Sequence, residues 1–513
     1  MGQTAGGPAA APAAGPDSTD ESGSGGTHLV LPLVRDILPK HRQLYYGGGW
    51  HEPRGGYAET TCPATGESLG GWADADASDV DAAVEAAQAA AGAWRDLKPM
   101  ERAMLLKRAA EIVRANVDEL ALIDAVDNGN PIASLRGDVL AAAAMIEFYV
   151  GLATEVKGET LPMGAGVVNL SMREPYGVVA RIVAYNHPLL FVAAKMAPPL
   201  VTGNCVIMKP PVQAPLSSYR LMELLDGLFP PGVLNLVTAG AAGSAALAAH
   251  QLVPRTSLIG SVPTGRAVAR AGAERLKHVT LELGGKNACI IYPDADITRA
   301  ARSAIDGMNF TWCGQSCGSV SRLFVHEDVY DEVLPIALDQ VANYKPGMPT
   351  DPATTMGCLV SREQYDKVTS YIRIAVAEGA TLAYGGKRPA GLPQAGFFVE
   401  PTIFTDVTQD MRIANEEVFG PILSVIRWRD EAEMLRQVNA VEYGLTGAIW
   451  TRDLATAHRA AAVIEAGFIW VNNTSAHFLG ANFGGYKQSG IGREEGIEEL
   501  LSYTQVKNIN ITL

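Results

Sequence analysis

Two cysteines four residues apart, Cys313 and Cys317, lie between an amphipathic segment and an apolar run. A cysteine thiol in such a break can act as a covalent nucleophile. Gly314 and Gly318 bracket the second cysteine, so the backbone can bend there and a small molecule can approach closely. The alternative is a buried structural cysteine at a helix end. This stretch alone leaves both interpretations open.

Composition limits the classes of function. The 513 residues carry a formal net charge of −14, which argues against nucleic acid or an anionic membrane as partner. Six sparse cysteines form no disulfide framework, and no Cys/His spacing predicts a metal site. No apolar run approaches the roughly 20 residues of a membrane span.

Residues 1–27 differ in amino-acid composition from the rest of the chain. They are rich in Ala, Gly, Pro and Ser, with neither a basic start nor an apolar stretch. That composition excludes a secretory signal and predicts a disordered tail over residues 1–27. A cytoplasmic location follows by default.

Apolar strands alternate with Ala/Leu-rich helices over residues 177–282. One of these helices is predicted near 190–201, and a second alternating block over 288–473 includes a strand predicted over 397–403. Alternation of this kind predicts an α/β protein with parallel, helix-covered sheets. Such sheets bind ligands at the carboxyl ends of their strands.

Four strand ends in this block carry polar or glycine residues. Asn186 could donate to an oxyanion, and Lys209 could reach a ribose or phosphate. Gly260 precedes a helix start of the kind that accepts phosphates. Glu282 lies in an apolar strand, where a raised pKa suits a general base. Each residue taken alone has an ordinary structural explanation, such as a turn, a solvated lysine or an ion pair.

Together, these residues resemble the NAD(P)-dependent aldehyde dehydrogenase superfamily, in its hydrolytic branch that does not acylate CoA. The resemblance runs from about Tyr45 to the C-terminus. Its most specific motifs are the runs at 281–286, 314–317, 416–421 and 489–494.

The resemblance implies a mechanism. Cys317, rather than Cys313, attacks the aldehyde, and the oxyanion is held by the Asn186 amide and the Cys317 backbone N–H. Hydride transfer to the nicotinamide leaves a thioester, which Glu282 helps water to hydrolyse. Lys195 and Glu494 match residues of a proton relay.

The resemblance also implies a cofactor site. Lys209 matches the lysine on the adenosine ribose, while Glu417 matches the carboxylate on the nicotinamide ribose. The turn under the pyrophosphate and the adjacent aromatic are matched by Gly260, Ser261, Gly265 and Phe419. Val212 replaces the glutamate of the NAD-preferring pattern, so the expected cofactor is NAD or NADP.

By the same resemblance, seven residues wall the substrate tunnel: His187, Phe191, Ala194, Ser316, Gly318, His477 and Phe483. Many relatives carry a bulky aromatic where Ala194 stands, and Ser316 and Gly318 are also small. We therefore expect a medium to bulky hydrophobic aldehyde. The absence of Arg and Lys from these positions disfavours a carboxylated semialdehyde.

The expected fold has a Rossmann-type cofactor domain (28–154 and 176–282), an α/β catalytic domain (283–485) and a small β oligomerisation element (155–175 and 499–513). That element predicts a homodimer or a homotetramer. Two alternatives remain open. One is a CoA-acylating aldehyde dehydrogenase, which the presence of Glu282 disfavours. The other is a non-catalytic structural or binding relative, which intact Cys317, Glu282 and Asn186 disfavour.

Overall fold

The structure, a computed structural model, describes residues 29–513, so the predicted tail over 1–27 lies outside the described residues. The helices are α1 (Leu31–Val34), α2 (Ala77–Asp96), α3 (Pro99–Ala115), α4 (Val117–Asn128), α5 (Ile132–Gly151), α6 (Pro188–Lys195), α7 (Ala197–Val201), α8 (Leu216–Leu224), α9 (Ala241–Ala249), α10 (Val262–Ala273), α11 (Ile297–Asp306), α12 (Tyr330–Val341), α13 (Arg362–Ala377), α14 (Arg412–Asn415), α15 (Glu431–Asn439), α16 (Leu454–Val463) and α17 (Ile497–Ser502). The strands are β1 (Leu44–Tyr46), β2 (Gly49–His51), β3 (Tyr57–Thr61), β4 (Ser68–Ala73), β5 (Thr160–Leu161), β6 (Val167–Pro175), β7 (Val178–Ile182), β8 (Cys205–Lys209), β9 (Leu234–Leu236), β10 (Arg255–Ile259), β11 (His278–Glu282), β12 (Ala288–Ile291), β13 (Arg322–His326), β14 (Thr381–Tyr384), β15 (Thr402–Thr405), β16 (Ile422–Trp428), β17 (Tyr443–Gly444), β18 (Thr446–Trp450), β19 (Phe468–Val471), β20 (Tyr486–Lys487), β21 (Gly490–Ile491) and β22 (Thr504–Thr512).

The first large sheet has the strand order β2-β1-β9-β8-β7-β10-β11-β21. Its five central strands are mutually parallel and lie in the order β9-β8-β7-β10-β11. From β7 the chain goes outward to β8 and β9 on one side, then returns to place β10 and β11 on the other. The strand order therefore reverses between β7 and β10. In an open α/β sheet, the crevice at such a reversal is the expected ligand site.

Burial explains why β7 and β8 are mostly apolar. Every residue of β7, β8 and β10 is buried. A parallel sheet covered by helices on both faces needs apolar side chains on both, which gives a continuous rather than an alternating pattern. The predicted α/β architecture with parallel sheets is confirmed.

The second large sheet has the order β14-β15-β16-β13-β12-β18-β19 and is parallel except at the β14–β15 pair. The chain passes from the first sheet to the second between the end of β11 at Glu282 and the start of β12 at Ala288. The loop that carries Cys317 leads into β13, the neighbour of β12. This crossing brings the end of β11 close to that loop.

A third, antiparallel sheet joins β22 to β6 and β5. The C-terminal strand pairs with β6 from Thr504↔Pro175 to Thr512↔Val167. The two strand-like segments predicted to belong together are therefore hydrogen-bonded partners. The domain boundaries drawn from the sequence stay predictions.

Two predicted elements differ from the structure. The helix predicted over 190–201 is two helices, α6 and α7, because Pro198 and Pro199 lack the N–H that would continue the first helix. The strand predicted over 397–403 begins only at Thr402, since Pro401 cannot donate to a ladder. Within residues 29–513, no helix is long and apolar enough to cross a bilayer.

Candidate active site

The loop between α11 and β13 holds Cys317 at the surface of a cavity. Two non-glycine residues there, Asn309 and Cys313, adopt left-handed backbone angles with φ 58° and 55°. Gly314 is also left-handed, and a Cβ on it would collide with the carbonyl oxygen of Gly420. A Cβ on Gly318, in contrast, would meet only Ser316 Oγ, at 4.0 Å. Gly314 is thus required by close packing, whereas Gly318 leaves open space beside Cys317.

Asn287 holds this loop in place. Its side-chain Nδ2 donates to the carbonyl oxygens of Cys317, at 2.7 Å, and Ser319, at 2.9 Å. Its Oδ1 accepts from the backbone N–H of Thr446 at 3.0 Å. This one buried amide therefore ties the cysteine loop to the second sheet. Sequence reasoning missed Asn287, although it directly follows the motif at 281–286.

Cys317 lies where two cavities meet. One has a volume of about 440 Å³ and the other about 330 Å³, and both are lined by Cys317, Glu282, Asn186 and Ile259. The smaller cavity follows the carboxyl ends of β7, β8, β10 and β11, at the reversal of strand order. The arrangement gives one thiol access to two different ligands.

Glu282 ends strand β11 and is 4 % exposed. Burial raises the pKa of its carboxyl to about 8, and the nearby charge of Glu494 acts in the same direction. Burial also raises the pKa of the Cys317 thiol well above its usual range, and the adjacent Glu282 carboxylate adds to the effect. The resting pair is therefore a thiol beside a carboxyl that titrates near neutral pH.

Asn186 follows β7 and is 3 % exposed. Its backbone carbonyl accepts from the side chain of Asn130 at 2.9 Å. Its side-chain oxygen is buried without a hydrogen-bond partner among the described residues. The contact with Asn130 fixes the backbone while the carboxamide remains at the junction of the two cavities.

A buried ionic network lies on the cavity wall. Lys195 Nζ is 2.9 Å from Glu494 Oε2 and 2.9 Å from Glu499 Oε2, while Arg181 Nη2 is 2.6 Å from Glu494 Oε1. Burial alone would lower the pKa of Lys195, but the two carboxylates hold it above its usual value. Burial alone would raise the pKa of Glu494, but Arg181 and Lys195 hold it below. Lys195 and Glu494 are therefore both charged at neutral pH.

Glu499 was missed by sequence reasoning because it falls in the segment assigned to the oligomerisation element. In the structure it belongs to α17, and Tyr149 donates to its carboxylate at 2.6 Å. It reaches the network from the C-terminal region of the chain, and no local motif marks it.

The larger cavity contains most of the predicted tunnel residues. Six of the seven line it, namely His187, Phe191, Ser316, Gly318, His477 and Phe483, as do Lys195 and Glu494. Ala194 does not: it is fully buried and lies on the same face of α6 as Leu190 and Phe191. A tunnel widened at Ala194 stays a prediction.

Several wall residues were not predicted. Trp312 and Asn309 come from the cysteine loop, and other parts of the wall are lined by Asp138, Ala141, Ala144, Met145, Leu190, Ser475, Leu479 and Glu495. Two of these pair with predicted histidines: Asp138 Oδ2 is 2.7 Å from His187 Nδ1, and Glu495 Oε2 is 3.0 Å from His477 Nδ1. Carboxylates so far along the chain from their partners leave no sequence signal.

The smaller cavity contains most of the predicted cofactor residues. Lys209, Gly260, Ser261, Glu417 and Phe419 line it, together with Tyr185, Gln364 and Lys367, which were not predicted. Ser261 caps α10 and accepts from Thr264 N at 3.4 Å. Burial lowers the pKa of Lys209 to about 8.

Two predicted residues lie beside this cavity rather than on it. A Cβ on Gly265 would be 2.6 Å from Leu283 Cδ1, so this glycine lets α10 pack closely against the chain after β11. Val212 is partly buried and packs against the hydrophobic cluster that includes strands β7, β8 and β9, while its neighbours Pro211 and Gln213 form part of the cavity wall. Glu417 accepts from the backbone N–H of Gly285 at 3.0 Å, which fixes its carboxylate at the cavity.

The fold and the site define an α/β protein with a thiol between a cleft at the sheet's reversal point and a second, apolar cavity. Comparison with known proteins identifies it further. A profile of the aldehyde dehydrogenase family matches residues 50–509, and the chain belongs to that family, whose members are oxidoreductases acting on aldehydes. The resemblance and the fold expected from the sequence are thereby confirmed.

Individual relatives cover nearly the whole chain. Aldehyde dehydrogenase tropH of Talaromyces stipitatus is 49 % identical over 492 residues, covering 94 % of this chain and 96 % of its own. An NAD+ complex of aldehyde dehydrogenase from Bacillus cereus has a TM-score of 0.90 at 38 % identity, covering 94 % and 99 % of the two chains. A 3,6-anhydro-L-galactose dehydrogenase in complex with NADP has a TM-score of 0.90 at 35 % identity, covering 92 % and 100 %.

Proposed function

We propose that this chain oxidises a medium to bulky hydrophobic aldehyde to its carboxylic acid with NAD or NADP, through covalent catalysis at Cys317. The observation that carries the proposal is the position of Cys317 at the junction of a cofactor-sized cleft and a separate, largely apolar cavity. Glu282 and Asn186 stand at the same junction, so a nucleophile, a base and an amide donor are within one small volume.

The residues of the cleft fit a nicotinamide dinucleotide. Lys209 at the end of β8 and Glu417 opposite it supply groups suited to two ribose rings, and the start of α10 at Ser261 suits a pyrophosphate. The bound NAD+ and NADP of the two solved relatives support the same assignment. When bound, the nicotinamide accepts the hydride that leaves the substrate carbon.

The remaining steps belong to the protein. The Cys317 thiol loses its proton to solvent, and the sulfur attacks the aldehyde carbon. The Asn186 amide and the Cys317 backbone N–H donate to the resulting oxyanion. Loss of hydride leaves a thioester on Cys317, and Glu282 then takes a proton from the water that hydrolyses it. Lys195 and Glu494, beside Glu282 on the wall, carry protons away.

The wall of the larger cavity supports the substrate class. Phe191, Trp312, Phe483, Leu190 and Met145 supply apolar surface. Lys195 is the only lysine or arginine among the described lining residues, and it already contacts two carboxylates. A carboxylated aldehyde would therefore enter without a free cation to pair with its charge.

A panel of aldehydes tests this proposal. We expect higher kcat/KM for aromatic and branched aldehydes than for acetaldehyde, by about tenfold or more, because each buried CH₂ contributes roughly 0.8 kcal/mol. The products are measured by chromatography, with and without CoA. Preference for succinic semialdehyde, or acyl-CoA formation in place of the free acid, would contradict the proposal.

The same assay compares the two cofactors. With no carboxylate at position 212, the enzyme is expected to use NADP as well as NAD. Val212→Glu places a carboxylate next to the cleft wall at Pro211 and Gln213, and we expect kcat/KM for NADP to fall by about tenfold or more while that for NAD changes less. Strict rejection of NADP by the unmodified enzyme would contradict this interpretation of Val212.

The third sheet supports self-association as a homodimer or homotetramer. Its strands expose apolar side chains: Val506 is 60 % exposed, Leu161 49 % and Met172 47 %. Exposed apolar residues concentrated on one small sheet are typical of a surface covered in an assembly. The mass from light scattering is expected to be two or four times that of one chain, and a monomer at micromolar concentration would refute this proposal. The cytoplasmic location remains a prediction from composition.

A further inference from the structure

A histidine–aspartate pair faces the larger cavity and has no role in the mechanism above. Asp138 projects from α5, and His187 directly follows Asn186 at the start of α6. His187 Nδ1 and Asp138 Oδ2 are 2.7 Å apart, and both side chains line the cavity, with exposures of 15 % and 12 %. The pair is therefore nearly buried, yet open to whatever fills the cavity.

The contact with Asp138 fixes the direction of the imidazole. Because Nδ1–H donates to the carboxylate, the other ring nitrogen is left for a different partner. Within residues 29–513, His187 Nε2 makes no hydrogen bond. A wholly apolar substrate that displaced water from Nε2 would leave this nitrogen unsatisfied, which is unfavourable in a buried site.

A hydroxyl group is the partner that suits this nitrogen in every protonation state. A neutral imidazole presents Nε2 as an acceptor, whereas an imidazolium presents Nε2–H as a donor. A hydroxyl can donate to the first and accept from the second. A carboxylate does not fit, because it would lie beside the Asp138 carboxylate that already pairs with the imidazole, and the cation on this wall, Lys195, already contacts two carboxylates.

The surroundings indicate that the hydroxyl is carried on an aromatic ring. The His187 ring centroid is 4.6 Å from that of Trp312 and 5.5 Å from that of Phe191. The Trp312 and Phe191 rings are tilted by 57° and 69° to the imidazole and place aromatic surface on two sides of it, which favours an aromatic group in edge-to-face contact. The second pair, His477 with Glu495, does not provide an equivalent site, because the His477 side chain is 47 % exposed and water can satisfy it.

We propose that the substrate is a ring-hydroxylated aromatic aldehyde whose hydroxyl hydrogen-bonds to His187 Nε2, with Asp138 as the residue that positions the imidazole. This inference rests on the proposed function and narrows its substrate class. His187 contacts the substrate directly, whereas Asp138 acts through His187.

The test compares benzaldehyde with its 2-, 3- and 4-hydroxy derivatives. We expect at least one isomer to have a kcat/KM about tenfold or more above that of benzaldehyde. His187→Phe keeps an aromatic ring against Trp312 but removes both nitrogens. The ratio of kcat/KM for the preferred hydroxybenzaldehyde to kcat/KM for benzaldehyde should therefore fall to about one. Asp138→Leu should also lower the ratio, whereas Asp138→Asn, which keeps an acceptor for Nδ1–H, should retain most of it.

A matched control is His326→Phe. His326 also lies near an aspartate, Asp328, and against Trp428, but outside both cavities. It is expected to leave the ratio unchanged. Because the ratio is a comparison of substrates on one enzyme, partial loss of folded protein does not alter it.

The outcomes distinguish failure of the His187–hydroxyl contact from failure of the proposed function. If the unmodified enzyme oxidises benzaldehyde and all three hydroxy isomers equally well, or if the preference survives His187→Phe, the inference is overturned while the proposed function stands. Higher kcat/KM for trimethylammonioacetaldehyde than for any hydroxybenzaldehyde would also overturn it. If no aromatic aldehyde is oxidised, the proposed substrate class itself fails.

Discussion

Replacing Cys317 by alanine is expected to lower kcat by about 10⁴-fold or more, because no other group at the junction of the two cavities can form the thioester. The cofactor cleft keeps its other lining residues, so binding of NAD+ measured by fluorescence or calorimetry should change little. The loss would then be assigned to chemistry rather than to binding. Activity near that of the unmodified enzyme would refute covalent catalysis at this position.

Cys313→Ala is the matched control. Cys313 lies in the same loop but is fully buried, with its sulfur 3.5 Å from the carbonyl oxygen of Gly357 rather than at either cavity. We expect a loss of stability of about 1–2 kcal/mol from the emptied space, with kcat largely retained. Iodoacetamide should inactivate both this variant and the unmodified enzyme, since Cys317 is present in each.

Glu282→Gln is expected to reduce steady-state turnover by about 10²–10⁴-fold. The amide occupies the same space but cannot take a proton from water, so the acyl-enzyme should accumulate. A burst of reduced cofactor, up to one per active site, and an acyl adduct on Cys317 by intact mass spectrometry would identify hydrolysis as the blocked step. If Glu282 is needed earlier, to deprotonate Cys317, neither burst nor adduct will appear, and the late role of Glu282 will be wrong.

The pH profile provides an independent measure of the same residue. Burial raises the pKa of Glu282 to about 8, and the group acts as a base only when deprotonated. Turnover of the unmodified enzyme should therefore rise with pH and level off above about 8, and fall as the carboxyl is protonated at lower pH. The rising limb should vanish in Glu282→Gln. Glu416→Gln, which removes a carboxylate paired with Arg412 outside both cavities, should keep it.

The sequence was informative wherever a function depends on a strand end. Asn186, Lys209 and Glu282 each follow or end an apolar strand, and parallel strands bring their carboxyl ends to one edge. The sequence was less informative about where a strand begins. The apolar pattern predicted a strand from residue 397, but β15 begins at Thr402. Pro401 has no N–H to donate to a neighbouring strand, and a hydrophobicity pattern does not detect that absence.

The distant partners of two predicted residues, His187 and Lys195, could not be predicted. Asp138 and His187 are 49 positions apart, and Lys195 and Glu499 are 304 apart. Their contacts depend on how α5, α6 and α17 pack, and neither periodicity nor local motifs encode that packing. Asn287 is different, since it stands at the crossing between two sheets, where a buried amide is a reasonable expectation for holding a loop.

Each cavity has exposed residues on its wall. Leu479 and His477 are exposed at the larger one, and Ser261 and Thr264 at the smaller. In the proposed mechanism, the aldehyde and the dinucleotide therefore approach Cys317 from different cavities. Access alone imposes no order of arrival, and the acid can depart while the dinucleotide stays in its cleft. Any compulsory sequence of events must arise from chemistry or from closure of the chain around its ligands, not from one ligand obstructing the other.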